Sequence, residues 1–411
     1  MTDASADMLP VTVLVPTFNR AIYLAEAIES LLGQRPPPAE VIVIDDGSED
    51  ETATIVRGFG DAVRYMHQPN SGKATALNNG LAAATQPYVW IFDDDDIAAE
   101  GTLARLHDAL AADPDAGFSY GICDKFRGPW PCAERERTFA YTADDRSALY
   151  VRLMEDFFLW QGAMLVRRDC YAAVGPFDVR LARSQDYEMA LRLGRRFRGV
   201  GVPIVAFHQR HHDGLRGPSS ARIPAADMEK AWRKYNHIIF RELHASHDLP
   251  EFCIEDDVAG GGRPALTALI QRGSIMARKG IWDLAAADFA EAAALAHGLA
   301  VTALNGQEKA ALRRVFQRGA RSVFTSQAEG RDFFAAISRF DQPLRAAIEG
   351  NLLLPLSFRL RRVKDTQEPK AELRQLWFAA RHLLRPAAVP HYLEARRTDQ
   401  GMYKVMPLAV A

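Results

Sequence analysis

The chain has 411 residues, and 48% of them are apolar, so it can bury a sizeable core but exceeds one compact domain; two domains, or one with a helical appendage, are expected. With 50 Lys and Arg against 52 Asp and Glu, it is not a polycation seeking nucleic acid. The acidic opening Met1 to Pro10 reads as a tail and argues against a secretory signal, and no run of about 18 apolar residues is present to span a membrane.

From 11 to 92 the pattern alternates short apolar runs at 11–15, 41–44, 64–67 and 88–92 with helical stretches at about 23–32, 51–57 and 72–84. This predicts an α/β fold, a mostly parallel sheet with crossover helices. Polar clusters directly follow three of the strands, and in open α/β sheets ligands bind beyond the carboxyl ends of strands, so the candidate residues should converge on one edge. Further on, a strand is expected at 118–123, an apolar segment at 157–166 and a helix at 185–196. Acids and three glycines at 255–264 predict a linker between a domain spanning 11–240 and an all-α region at 265–411. There Gly273, Gly280, Trp282, Ala285, Phe289 and Ala292 fit the spacing of one tetratricopeptide-type hairpin, or an ordinary helical hairpin. Cys123, Cys132, Cys170 and Cys253 form no CxxC pair and suit a reducing cytoplasm.

The strongest chemical signal is Asp93-Asp94-Asp95-Asp96 after the fourth strand. A like-charge pair about 4 Å apart costs roughly 4 kcal/mol at an effective dielectric near 20, and a hard divalent cation such as Mn²⁺ or Mg²⁺ would reverse that sign. The bland alternative is a solvated acidic turn before a helix. A second acidic turn, Asp45-Asp46-Gly47-Ser48-Glu49-Asp50, follows the second strand; Ser48 or Asp50 can cap the next helix, and a carboxylate there could meet a base or a ribose hydroxyl.

In order and spacing, Val15-Pro16-Thr17-Phe18-Asn19-Arg20, Asp45-Asp46-Gly47-Ser48, Asn70-Ser71-Gly72-Lys73, Ala76-Leu77-Asn78-Asn79-Gly80 and the Asp93–Asp96 cluster resemble the catalytic domain of glycosyltransferase family 2, with the GT-A fold. The resemblance implies an inverting, metal-assisted transfer of sugar from a nucleotide-sugar donor, a UDP-sugar foremost, to a hydroxyl of a carbohydrate or glycolipid acceptor, as in cell-surface polysaccharide or glycoconjugate synthesis. It implies that Pro16, Thr17, Phe18 and Arg20 line the nucleotide pocket, that Asp45 and Asp46 reach base and ribose, that Lys73 lies near the donor, and that Asp93 and Asp95 belong to an Asp-x-Asp metal motif. Ser184-Gln185-Asp186-Tyr187 resembles the family's second signature, with Asp186 as catalytic base and Gln185 where many members carry glutamate; Asp186 as a plain helix cap is the alternative. Gln161, Gly162 and Met164 resemble the floor of the acceptor site. His212, two residues after Arg210, fits a histidine that approaches metal or diphosphate; a solvated loop is the other reading of His208, His211 and His212.

Two other classes compete. A sugar-nucleotide pyrophosphorylase would carry a glycine-rich signature after the first strand, where Pro16 to Arg20 stands instead; a non-catalytic scaffold would not be expected to keep Asp93, Asp95 and Asp186. Basic amphipathic stretches at 358–364 and 373–384 could lie on anionic lipid, making the chain peripheral at a membrane's inner face, or pack as a solvated face; the helical region could also hold a protein partner.

Overall fold

The computed structural model describes residues 8–131, 134–138, 146–211, 228–254, 263–317, 324, 326–361, 363 and 369–398. The chain divides into two compact units, one of residues 1–153, 157–231 and 403–411, the other of 154–156 and 232–402.

The first unit is an α/β domain. Strands β1 (Leu9–Thr17), β2 (Pro38–Asp45), β3 (Arg64–His67) and β4 (Tyr88–Ile91) alternate with helices α1 (Ala21–Leu32), α2 (Thr52–Gly58) and α3 (Lys73–Ala83). These strands pair in parallel in the order β3-β2-β1-β4, so all four end on the same edge. Val11, Val13, Leu14 and Val15 are fully buried, as are Val43 and Ile44, which explains why the strands read as unbroken apolar runs: both faces of the sheet are covered. Helix α3 lies close on β2, and a Cβ added to Gly80 would stand 2.9 Å from Ile44 Cδ1.

Beyond β4 the sheet becomes mixed. The two-residue strand β5 (Ile97–Ala98) and helix α4 (Thr102–Ala111) precede β6 (Ala116–Phe126), which carries the short β7 (Arg135–Arg137) on its flank. Helix α5 (Arg146–Glu155), β8 (Met164–Arg167), α6 (Arg168–Val174), α7 (Gln185–Arg196) and β9 (Arg198–Arg210) follow, and the sheet continues from β4 through β8, β6 and β9 to β5. The run Phe207 to Arg210 is therefore the end of a thirteen-residue strand and not a loop. His208 is buried there, its Nδ1 2.5 Å from Asp124 Oδ1 with the Trp130 ring stacked on it, so the solvated reading fails for His208. His212, Cys132, most of the 255–264 stretch and the residue 1–7 part of the tail lie outside the described residues.

The second unit is all helix among the described residues: α8 (Met228–Ser246), α9 (Pro264–Arg278), α10 (Trp282–Gly298), α11 (Gly306–Arg314), α12 (Gln327–Ile337), α13 (Leu344–Arg361), α14 (Pro369–Leu383) and α15 (Val389–Thr398), with short 3-10 turns between some of them. Helices α9 and α10 pair as a hairpin in which Gly273 lies against Phe289. Trp282 anchors an aromatic cluster, its ring 4.4 Å from Phe324 and 5.2 Å from Phe333. In the same unit Asp156 pairs with Arg278 and Arg314, and Glu155 pairs with Arg314 and accepts a hydrogen bond from the Gln271 side-chain amide. No helix among the described residues is long and apolar enough to cross a membrane.

Candidate active site

Each parallel strand of the first unit ends in a polar turn, and hydrogen bonds lock the turns together. Asn19, at φ 53°, accepts from Glu49 N–H through its side chain while its own N–H donates to Ser48 Oγ, joining the first turn to the second. Asp50 accepts from Ala21 N–H at 3.0 Å and Thr52 N–H at 3.1 Å, so one carboxylate caps α1 and α2 together. Burial alone would raise its pKa, but these bonds and the Thr52 hydroxyl hold it below its ordinary value.

Adjacent residues at a strand end point to opposite faces, which separates Asp45 from Asp46. Asp45 is 1% exposed, accepting Ser48 N–H at 2.8 Å on one oxygen and the Tyr65 hydroxyl on the other. It shapes the turn and does not line the cavity. Asp46 does line it, yet its carboxylate accepts Ser71 N–H and Gly72 N–H at 2.8 Å and the Gln68 side-chain amide at 2.7 Å. Gly47 makes this approach possible: its φ is +82°, and a Cβ would meet Asn70 N at 2.8 Å. Asp46 thereby delivers Lys73, the first residue of α3, to the cavity edge.

There Lys73 Nζ lies 2.5 Å from Asp93 Oδ1. Burial would lower the pKa of this ammonium, but Asp93, Asp186 and Asp94 together hold it above its usual value. Arg20 Nη1 donates to Asp95 Oδ2 at 2.9 Å. Asp94 is pushed up to about 7 by burial and by Asp95 beside it, against the pull of Arg20. Asp93, Asp95 and Asp96 can each offer a carboxylate oxygen within 4.8 Å of the other two, an all-oxygen set suited to a hard divalent cation.

The sequence reading gave no role to Arg210. Its guanidinium is buried, lies over the Tyr23 and Phe126 rings, pairs with Glu26 and donates to the Asp95 carbonyl at 3.0 Å, while its N–H donates to Asp96 Oδ1 at 2.8 Å. It fixes the acidic turn from the end of β9. Only the alternation Val200, Val202, Ile204, Ala206 hinted at the strand that brings it there.

Asp186 sits in the first turn of α7, close enough to Lys73 and Asp93 for both to act on its charge. Burial raises its pKa more than Lys73 lowers it. The loop before it is pinned to α3 by a two-way clasp: Asn78 Nδ2 donates to Phe177 O at 3.0 Å, and Phe177 N–H donates to Asn78 Oδ1 at 2.7 Å. Gln185 is 6% exposed and lines the cavity, and its Oε1 accepts no hydrogen bond among the described residues.

The cavity measures about 610 Å³ and is walled by Pro16, Thr17, Phe18, Arg20, Asp46, Lys73, Asp93, Asp95, Gln185 and Arg210, among others. The volume suits a nucleotide-sized ligand. Gln161, Gly162 and Met164 do not line it. The Gly162 carbonyl accepts the Trp90 indole N–H, and Met164 is buried on β8 opposite Tyr120.

A parallel half-sheet whose strand ends gather an acidic triad, with two cations and the half-buried Asp186 close by and a nucleotide-sized cavity beside them, defines a GT-A type domain. Residues 12–175 match the sequence model of glycosyl transferase family 2. Over 189 residues it is 41% identical to an uncharacterized glycosyltransferase of Rickettsia prowazekii, covering 45% of this chain and 58% of that one. It is 38% identical over 104 residues to a GalNAc(5)-diNAcBac-PP-undecaprenol beta-1,3-glucosyltransferase of Campylobacter jejuni, covering 24% of this chain and 34% of that one. The alignments thus span little more than half, or less, of these relatives. Among solved structures, S. aureus TarS 1-349 in complex with UDP-GlcNAc matches 95% of this chain and 91% of its own at 16% identity and TM-score 0.47. The mannosyltransferase PcManGT from Pyrobaculum calidifontis, in complex with GDP-Man and Mn²⁺, matches 76% and 86% at 21% identity and TM-score 0.44.

Proposed function

We propose that the chain transfers a sugar, with inversion, from a nucleotide-sugar donor to a hydroxyl of a carbohydrate or glycolipid acceptor, the donor being foremost a UDP-sugar. The observation that carries this reading is the approach of Lys73 at the start of α3, Asp93 after β4 and Asp186 in the first turn of α7 to one another. The name of the Campylobacter jejuni relative, which specifies a polyprenol-linked acceptor, supports the glycolipid alternative.

Arg20 and Lys73 neutralise the donor's diphosphate. Asp93 and Asp95, with Asp96, are the residues that would hold Mn²⁺ or Mg²⁺, and a cation bound there would stabilise the negative charge of the departing diphosphate. Asp186 takes the acceptor hydroxyl's proton as the acceptor oxygen bonds to the anomeric carbon and the bond from that carbon to the diphosphate oxygen breaks. Its raised pKa makes it a better proton acceptor than an ordinary aspartate.

The test is a thermal-shift panel of UDP, GDP, CDP and dTDP with and without Mn²⁺. A nucleotide at about 100 times its dissociation constant should stabilise the fold by roughly 2.7 kcal/mol. We expect UDP to shift the melting temperature and Mn²⁺ to enlarge the shift; no shift with any of the four would overturn the donor assignment.

A further inference from the structure

Large apolar side chains left in water are concentrated at one place. Of the twelve that are exposed among the described residues, seven lie between Phe358 and Leu393. Between residues 358 and 398 the sequence also carries ten Lys or Arg against four Asp or Glu.

Helix α14 shows how the two features combine. Its inner stripe, Leu376, Ala379 and Leu383, is fully buried. At 100° per residue, Lys370, Leu373, Arg374, Trp377, Arg381 and Leu384 fall together on the opposite face. Leu384 continues the helix, its N–H donating to Ala380 O at 2.7 Å. On this outer face Leu373 is 45% exposed, Trp377 65% and Leu384 63%. Lys370, Arg374 and Arg381 enter no ion pair among the described residues, and the single acid of the helix, Glu372, is taken by Arg359 of α13. An outer face built for water alone would not set a tryptophan and two leucines among unpaired cations.

We infer that the outer face of α14 docks on an anionic lipid bilayer, with Trp377, Leu373 and Leu384 entering the boundary between headgroups and acyl chains and Lys370, Arg374 and Arg381 against the acidic headgroups. Tryptophan favours that boundary because its ring is apolar and its indole N–H polar. The cations select the charge of the surface, each worth about fivefold in partitioning. This attachment goes beyond sugar transfer and is read out without it.

The experiment is co-sedimentation of the full chain with phosphatidylserine-containing vesicles and with pure phosphatidylcholine vesicles, with tryptophan emission recorded alongside. We expect binding to the anionic vesicles, suppressed by high salt, with a blue-shifted emission. Trp377→Ser should abolish the blue shift and weaken binding at least tenfold, and Lys370→Glu/Arg374→Glu/Arg381→Glu should weaken it about a hundredfold or more. Both variants alter exposed side chains and should keep the wild-type melting temperature. Binding to neither vesicle, equal binding to both, wild-type binding by the folded variants, or self-association of the wild type that Trp377→Ser abolishes would overturn the proposal, the last by assigning the face to a second copy of the chain.

Discussion

Asp95 and Asp186 are separated by what surrounds their oxygens. Asp95 stands in a repelling run, with Arg20 on one oxygen and a place in a triad that can grip a cation. Asp95→Asn should therefore leave the fold intact and weaken Mn²⁺-dependent UDP binding by at least about tenfold; calorimetry showing unchanged affinity and metal dependence would remove Asp95 as a ligand. Desolvation holds Asp186 above its ordinary value. Because transfer needs its ionised form, the rate should fall as pH drops through that raised value, so the acid limb of kcat/KM should lie above the ordinary aspartate pKa and should vanish in Asp186→Asn. An acid limb at the ordinary aspartate value would contradict Asp186 as the base.

At the scale of the elements, the loop from Gly175 to Ser184 gains its position from the Asn78 clasp on α3, the helix that also presents Lys73. Asn78→Ala removes both bonds and should cost about 1–3 kcal/mol of stability. It should lower transfer by roughly tenfold to a hundredfold, through misplacement of Asp186, with UDP affinity nearly unchanged. Melting curves and paired binding and rate measurements check this, and a loss confined to UDP binding would assign the clasp to the donor side. The parallel half of the sheet was legible in the sequence because buried strands such as 11–15 and 41–44 are unbroken apolar runs closed by polar turns. Strand β9 was not: Pro203 and two glycines, Gly199 and Gly201, break its pattern, and the ladder to β6 shifts register around Pro203, where a missing N–H is tolerated. The site was legible where turn residues follow one another along the chain, as in 93–96. It was not where a contact spans 115 residues, as from Arg210 to the Asp95 carbonyl, or where adjacent acids such as Asp45 and Asp46 face opposite ways.

For the whole molecule, the division into two units has a testable consequence. We expect a fragment ending at 231 to fold, because a compact unit carries its own core. It keeps Asp156 without Arg278 and Arg314, which hold the Asp156 carboxyl below its ordinary range against the cost of burial. Breaking a buried ion pair costs about 3–5 kcal/mol, so the fragment should melt several degrees lower, and Asp156→Asn within it should recover part of that loss. An aggregated fragment with a molten spectrum would show that the helices complete the first unit's core.

The central claim is that Asp186 removes the acceptor proton while other residues hold donor and cation. The measurement that bears on it most directly is the rate of nucleoside diphosphate release from saturating donor and acceptor, compared between wild type and Asp186→Asn, with donor affinity determined on the same samples. Asparagine keeps the shape of the side chain and its place in the first turn of α7 while removing the basic oxygen. Donor affinity is expected within about twofold of wild type, with a rate lower by at least about 10²-fold. Near-normal turnover, or a loss of donor affinity that matches the loss of rate, would contradict it.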